Sequence, residues 1–288
     1  MTSALLPRWL LHSILTVLFW GVWGFIPRKL DTVSAEQSQV LSVAGLLPIL
    51  VWLAARRDRL RGSRVRRGCL LAAVAGLVGS AGNLCFYQLL NAGQSASTVV
   101  PLTSLYPLVT VLLAFLFLKE KLRPIGLLGI GLALVSIYLF NVSREEPFSA
   151  AWFARGLLPI GLWGVAGLLQ KLCTNDLSAE LSTLCFLGAL VVGSLPLPAF
   201  QAMSWQLPAA TWGWGIALGL FLGLGNLTLL AAFAAGGKAS VVSPMAGLYS
   251  VVTIPLSVAL LGEQVAARGW VAIGCAVCAV VALAWNEP

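Results

Sequence analysis

The stretch "ASTVVPLTSLYPLVT" at residues 96–110 decides the fold, because the chain repeats it as "ASVVSPMAGLYSVVT" at residues 239–253. Aligned at this offset of 143 positions without a gap, residues 82–141 and 225–284 share 20 identities. Shared hydrophobicity would align Leu, Val and Ala with one another, but the matched residues also include Asn, Pro, Tyr and Glu in the same order. The sequence therefore indicates an internal duplication.

The composition indicates a membrane protein. Hydrophobic residues make up 59% of the 288 residues, charged residues only 10%, and the mean hydropathy is +0.93. An ordinary soluble domain carries about 25% charged residues, so this balance excludes that class. A helix needs about twenty apolar residues to cross a bilayer core, and segments of this length recur almost end to end. We predict ten spans, at residues 10–27, 36–55, 69–90, 96–118, 124–142, 152–170, 178–200, 209–234, 239–261 and 267–285.

The number of spans in each half sets the relation between the halves. With five spans in residues 1–143 and five in residues 144–288, the second half enters the membrane from the opposite side. The predicted fold is an all-α polytopic membrane protein, with ten transmembrane helices arranged as two inverted-topology five-helix repeats around a central cavity. Such repeats are typical of secondary transporters, whose substrate site lies near the midplane between the halves.

Basic residues predict the orientation in the membrane. The net charge is +8, and the stretch "RRDRLRGSRVRR" at residues 56–67 contains seven arginines between the second and third spans. With both termini in the cytoplasm, 13 basic residues lie inside and five outside, in agreement with the positive-inside rule. The positive charge therefore implies no nucleic acid partner, although this loop could also bind anionic lipid headgroups. We expect a multi-pass protein of the plasma (inner) membrane.

Each half also carries a longer pattern across its last two spans. It reads "VVPLTSLYPLVTVLLAFLFLKEKLRPIGLLGIGLALVSIYL" at residues 99–139 and "VVSPMAGLYSVVTIPLSVALLGEQVAARGWVAIGCAVCAVV" at residues 241–281. This pattern of a proline, a Leu-Tyr pair, a Leu-x-Glu and a glycine resembles the EamA-type carriers of the drug/metabolite transporter superfamily. The resemblance implies a basket of helices around a central cavity, and export or exchange of small metabolites, without specifying the substrate.

Polar and aromatic side chains inside the spans are the candidate binding residues, because an unpaired polar group is costly in the membrane. Asn83 and Asn226 are matched by the duplication, and their alternative role is hydrogen bonding between helices. Tyr87 and Ser104 have no polar counterpart in the second half, as we expect where an asymmetric solute binds. The remaining candidates are aromatic residues, which could instead lie at the membrane interfaces: Trp20, Trp23, Tyr106, Trp163 and Tyr249.

Two prolines and one lysine complete the candidate residues. Pro101 and Pro244 lie about one turn inside the fourth and ninth spans. They are candidate hinge or gate residues, since a proline inside a helix removes a backbone hydrogen bond; a proline at a helix start is the alternative. Lys171 lies at the end of the sixth span, where it could bind an anionic group or extend to the membrane interface.

The predicted function is secondary transport of a small metabolite, such as an amino acid or a similar neutral or amphipathic solute, by alternating access. Export or exchange is the expected direction. A phosphorylated sugar or nucleotide-sugar, held by Lys171 together with Arg28 and Lys29 at the matched end of the first span, is the alternative substrate. The predicted spans contain no cluster of acids, histidines or metal ligands, so we expect no enzymatic activity, no metal and no cofactor. The expected partners are the solute and the lipid bilayer, and both a monomer and a homodimer are compatible with the sequence.

Overall fold

The computed structural model describes residues 7–92, 96–119, 123–141 and 150–285. These residues are helical apart from short connections and an isolated bridge between Gly62 and Leu177. The α-helices are α1 (Arg8–Phe25), α2 (Ala35–Ala55), α3 (Val65–Asn91), α4 (Ala96–Thr103), α5 (Pro107–Leu113), α6 (Pro124–Asn141), α7 (Ala150–Thr174), α8 (Ala179–Ser194), α9 (Leu197–Phe200), α10 (Ala209–Ala234), α11 (Ala239–Gly247), α12 (Ser250–Leu261) and α13 (Ala267–Ala284). Short 3-10 or π-helical turns lie at Ile26–Lys29, Arg57–Arg59 and Ala114–Leu118.

Within the described residues, eight helical segments are long and apolar enough to cross a membrane. Helices satisfy their own backbone hydrogen bonds, which is why they can cross lipid. The eight segments are Arg8–Lys29, Ala35–Ala55, Val65–Asn91, Val99–Leu118, Ala154–Thr174, Ala179–Phe200, Ala209–Ala234 and Ala239–Leu261. The other two predicted spans form the shorter apolar helices Pro124–Ser136 and Ala267–Ala282, which belong to α6 and α13. The prediction of a multi-pass helical membrane protein is confirmed, with eight of its ten spans meeting the length of a membrane crossing.

The duplicated stretch forms a broken span in each half. In the first half α4 ends at Thr103 and α5 begins at Pro107, while in the second half α11 ends at Gly247 and α12 begins at Ser250. Pro101 and Pro244, the predicted hinge prolines, lie inside the first helix of their span, and not at its start. Each break follows its proline by two or three residues. This places irregular backbone at the middle of the helix bundle in both halves.

The two halves interlock and do not form separate bodies. Helix α1 of the first half packs on α10 and α12 of the second half. Its counterpart α7, in the second half, packs on α3 and α5 of the first. In the same reciprocal way α2 packs on α10 and α8 packs on α3, while α6 and α13 pack on each other. These contacts between unlike helices thus recur with the two halves exchanged. The predicted boundary between residues 143 and 144 lies outside the described residues.

Small residues bring α2 and α10 close together. A Cβ atom placed on Gly219 would collide with the carbonyl of Ser42, and one on Gly45 would lie 2.5 Å from the backbone nitrogen of Leu220. Membrane helices pack closely where small residues face one another, because van der Waals contact drives their association. The glycine stripe of α10 is therefore a packing surface.

The matching contact between α3 and α8 is displaced by one residue along α8. Gly76, the counterpart of Gly219, faces Phe186 and Ala189, which follow residues 42 and 45 by 144 positions, one more than the overall offset. The sequence has the same shift, since "SAEQS" at residues 34–38 aligns with "SAELS" at residues 178–182. The single inserted residue is thus accommodated before α8 and leaves the helix contact intact.

The arginine-rich connection between α2 and α3 lies against the connection between α7 and α8. The backbone N–H of Ser63 donates to the carbonyl of Asp176, and the N–H of Ser178 donates to the carbonyl of Arg61, both at 2.8 Å. Arg67 also forms an ion pair with the Asp176 carboxylate at 3.1 Å. Both connections therefore lie at the same end of the helix bundle.

A carboxylate from the second half caps a helix of the first. The Glu263 carboxylate accepts hydrogen bonds from the backbone N–H groups of Ala96 at 3.0 Å and Ser97 at 2.8 Å. It also pairs with Arg28 at 3.5 Å. Negative charge is stabilising at a helix N-terminus, so Glu263 fixes the start of α4. Its counterpart in the repeat, Glu120, lies outside the described residues.

Candidate functional site

A cavity lies where the two halves meet, between α1, α3, α7, α8 and α10 and beside the two breaks. The empty space within it, open solvent included, is about 470 Å³. Of the described residues that line it, six are aromatic, three carry amides and none is charged. The lining residues are Trp20, Trp23, Gly79, Asn83, Tyr106, Trp163, Ala166, Gln170, Phe186, Leu190, Leu222, Asn226 and Tyr249.

Two tryptophans at matched positions each lie over a glycine of the opposite half. A Cβ atom on Gly82 would lie 2.6 Å from Cδ1 of Trp163, and one on Gly225 would collide with the indole of Trp20. Glycine is needed at both positions because any larger residue would displace the indole. The Trp163 Nε1 donates a hydrogen bond to the Asn83 Oδ1 at 3.0 Å, which joins α7 to α3.

The corresponding amide in the second half has a different partner. The Asn226 Oδ1 accepts a hydrogen bond from the Gln170 Nε2 at 3.0 Å, and its Nδ2 donates to the carbonyl of Leu222 at 2.9 Å. The Trp20 Nε1 is shielded from solvent and has no hydrogen-bond partner among the described residues. The pair of Trp163 and Asn83 and the pair of Trp20 and Asn226 therefore share a sequence pattern but differ in their hydrogen bonding.

Trp23 is the centre of the aromatic cluster on one wall. Its ring stacks on Phe86 with centroids 5.0 Å apart and meets Trp163 edge-on at 5.7 Å, the arrangements that aromatic pairs prefer. The Trp23 Nε1 donates to the Tyr87 hydroxyl at 3.1 Å. Tyr87 is fully buried and lies behind Trp23, so it orients a lining residue and does not line the cavity itself.

The two matched tyrosines bond across the interface between the halves. The Tyr106 hydroxyl donates to the carbonyl of Ser243 at 3.4 Å, and the Tyr249 hydroxyl donates to the carbonyl of Val100 at 3.5 Å. Each acceptor is the residue directly before the matched proline, Pro101 or Pro244, of the opposite half. Both rings also meet Trp20 edge-on, at 6.3 and 6.4 Å. The tyrosines therefore connect the cavity wall to the broken spans.

Three predicted binding residues lie away from the cavity: Tyr87, Ser104 and Lys171. Ser104 is fully buried, and its hydroxyl donates to the carbonyl of Pro101 at 2.7 Å. A Cβ atom on Gly247, its counterpart, would lie 2.9 Å from the Ser104 carbonyl oxygen. The two breaks are packed so closely that a side chain at position 247 would meet Ser104, which accounts for glycine there in place of a second serine. The structure brings together the other seven: Trp20, Trp23, Asn83, Tyr106, Trp163, Asn226 and Tyr249.

Lys171 lies at a helix end. Its Nζ donates to the carbonyl of Phe233, in the last turn of α10, at 3.5 Å. Arg28 occupies the matched position in the first half and donates to the carbonyl of Leu90, in the last turn of α3, at 3.4 Å. A basic group is favourable at a helix C-terminus, so both side chains stabilise matched helix ends.

Sequence reasoning missed several lining residues. Gln170 carried a detectable signal, because it is an amide inside an apolar span and its counterpart at the offset of 143 is Pro27. Phe186 and Leu190 carried none, since apolar residues of a buried helix look alike in sequence. The missed residues are Gly79, Ala166, Gln170, Phe186, Leu190 and Leu222.

Comparison with known proteins gives three findings. The model of the EamA-like transporter family matches residues 7–142 and again residues 151–285. The chain is 31% identical over 134 residues to Uncharacterized protein MJ1333.1 of Methanocaldococcus jannaschii, a match that covers 46% of this chain and 95% of that relative. A solved crystal structure superimposes with a TM-score of 0.69 over 94% of each chain at 15% identity, which shows a shared fold. The relative from Methanocaldococcus jannaschii corresponds in length to one half of this chain.

Proposed function

This chain belongs to the EamA-like transporter family, and from that premise we propose that it is a secondary transporter of a small neutral or amphipathic metabolite. An amino acid is the solute class that we favour. Transport proceeds by alternating access, and export or exchange across the inner membrane is its direction. The proposal places the chain among transporters and not among enzymes.

We further propose ten spans in two inverted repeats, residues 1–143 and 144–288. The reciprocal packing of α1 on α10 and α7 on α3 supports a two-fold relation, because two copies related by a two-fold axis make each contact twice. Five spans in each half would place this axis in the membrane plane. Such halves can exchange conformations, which gives inward-open and outward-open states of similar energy.

Both termini lie in the cytoplasm in this proposal. With ten spans, the connection between α2 and α3 and the connection between α7 and α8 fall on the same side, in agreement with the ion pair between Arg67 and Asp176. That side holds the seven arginines at residues 56–67. The positive-inside rule assigns it to the cytoplasm.

The observation that carries the proposal is an uncharged cavity with aromatic and amide walls between the two halves. Aromatic walls suit an apolar or aromatic body, and amides suit a polar group that carries both donors and acceptors. We propose as binding residues the seven predicted side chains that line it, together with Gln170. Tyr87 acts by orienting Trp23, and the hinge prolines Pro101 and Pro244 act through the breaks.

A phosphorylated sugar or nucleotide-sugar is less compatible with this cavity. A phosphate group needs a cation or several strong donors, and none of the lining residues within the described ranges is charged. Lys171, which we expected to bind such a group, donates to a carbonyl at the end of α10. We therefore rank this substrate class second.

Uptake by reconstituted protein tests the proposal. We expect saturable, trans-stimulated uptake of a labelled amino-acid mixture, lost in Asn83→Ala and in Asn226→Ala. Asn91→Ala is the matched control, because Asn91 also lies in α3 but bonds to the carbonyl of Val33, away from the cavity. Wild-type protein that takes up no amino acid would reject the solute class. Uptake that persists in both cavity variants would remove these two amides from the site.

A further inference from the structure

The duplication sets an expectation for the hydrogen bonds of the cavity. We use half-site for a tryptophan and the asparagine that faces it across the two halves. In the half-site of Trp163 and Asn83, the Trp163 Nε1 donates to the Asn83 Oδ1 at 3.0 Å. The offset of 143 maps this pair onto Trp20 and Asn226. If the repeat were exact, the Trp20 Nε1 would donate to the Asn226 Oδ1.

Gln170 departs from this expectation. Its Nε2 donates to the Asn226 Oδ1 at 3.0 Å, and its counterpart Pro27 has no side-chain donor that could do the same at the other half-site. The Trp20 Nε1 is left shielded from solvent without a partner among the described residues. Gln170 thus occupies the place at the Asn226 oxygen that an exact repeat would give to Trp20, although an amide oxygen has two lone pairs. The Asn226 amide does not turn to present its oxygen elsewhere, because its Nδ2 is held by the carbonyl of Leu222 at 2.9 Å.

An unpaired donor that is shielded from solvent is costly. The indole N–H can only donate, so only an acceptor atom relieves this cost. Both donors, Trp20 and Gln170, belong to residues that line the cavity. An acceptor oxygen on a bound solute can take whichever donor Asn226 does not hold.

We propose that the surplus donor shared by Trp20, Gln170 and Asn226 selects solutes that carry a carbonyl or carboxylate oxygen next to an apolar or aromatic body. This inference rests on the proposed function and narrows its substrate class. In the half-site of Trp163 and Asn83 the indole donor is already paired, so we expect no such selection there. Gln170 is thus a specificity-determining residue that the repeat itself does not provide.

Three probes that differ at one end test the selection: L-phenylalanine, L-phenylalaninamide and phenethylamine, of which the last lacks the acceptor oxygen. In wild-type protein we expect the first two to bind more tightly than phenethylamine. Gln170→Leu lets Trp20 bond to Asn226, and Trp20→Phe removes the indole donor. Each variant should reduce this preference by about tenfold, the effect of one hydrogen bond. Trp163→Phe is the matched control and should change all three affinities together.

The indole ¹⁵N–¹H resonance of Trp20 gives a readout that is independent of any solute. We expect the resonance of an unbonded N–H in wild-type protein and a downfield shift in Gln170→Leu, where the Asn226 oxygen becomes available. An unchanged preference in both variants would overturn the selection, and an unchanged resonance would overturn the surplus donor. Failure of all three probes to bind wild-type protein would reject the solute class of the proposed function, while the resonance would still decide the state of Trp20.

Discussion

At the residue scale, Gly82 and Gly225 set the positions of two tryptophans in the cavity wall. Each leaves room for a tryptophan of the opposite half, and the Trp163 indole uses that room to reach Asn83. A methyl group at Gly82 would occupy space 2.6 Å from the indole, well inside ordinary contact distance. The identity of one small residue in α3 therefore sets the position of an aromatic wall in α7.

Gly82→Ala is expected to destabilise the protein by about 1–3 kcal/mol, the usual cost of inserting a methyl group into a packed core. Displacement of Trp163 also breaks its bond to Asn83, so uptake should fall more than stability alone explains. Thermal unfolding in detergent and uptake by proteoliposomes measure the two effects. Gly188→Ala is the control, since a Cβ there meets no atom within 4 Å. Equal behaviour of the two variants would contradict this account of the cavity.

At the scale of elements, glycines allow the backbones of α2 and α10 to approach closely where the two helices cross. Gly45 and Gly219 lie in direct contact there, and the backbone of each helix reaches the other. The matched crossing of α8 and α3 has Ala189 in place of the first of these glycines. Equivalent residues therefore meet at the two helix crossings, but the backbones approach more closely where α2 meets α10.

Gly45→Ala should separate α2 from α10, because its Cβ would lie 2.5 Å from the Leu220 nitrogen and cannot be accommodated by a flexible side chain. We expect a larger loss of thermal stability than for Gly82→Ala, where a side chain can move. A double variant with Gly188→Ala should be no less stable than Gly45→Ala alone. Measured unfolding temperatures that do not change in Gly45→Ala would show that this crossing is loose.

The arrangement of the whole molecule depends on the side of the membrane at which each half begins. The proposed inversion places the junction near residue 143 outside and the C-terminus inside. Alkaline phosphatase fused after residue 143 should therefore be active, and the same reporter fused at the C-terminus should be inactive. A fluorescent protein, which folds in the cytoplasm, should give the reverse pattern. Reporters that place the junction and the C-terminus on one side would contradict the inverted relation.

The sequence predicts the elements well because hydropathy is a local property. Each of the ten apolar segments is helical. Both copies of the duplicated stretch, residues 96–110 and 239–253, form a span with a break after its proline. Matched polar and aromatic residues also pointed to the cavity, since Asn83 and Asn226 are buried at equivalent places in α3 and α10. A duplicated chain repeats its local structure, so each half supports the interpretation of the other.

The sequence does not predict which side chains meet. Ser104 differs from its counterpart Gly247 because the two breaks touch, which no pattern along the chain reveals. Tyr87 lies behind Trp23, although both are aromatic residues of apolar spans. One residue turns a helix face by about 100°, so the choice between lining and supporting depends on how each helix is rotated against its neighbours.

The sequence by itself determined the duplication, the positions of the helices and the family, because these follow from composition, periodicity and residue order. Only the tertiary structure decided that Gln170 of α7 takes the oxygen of Asn226 in α10 and leaves Trp20 of α1 without a partner. These three residues are far apart along the chain. Their arrangement exists only where the crossing of three helices brings two donors to one acceptor.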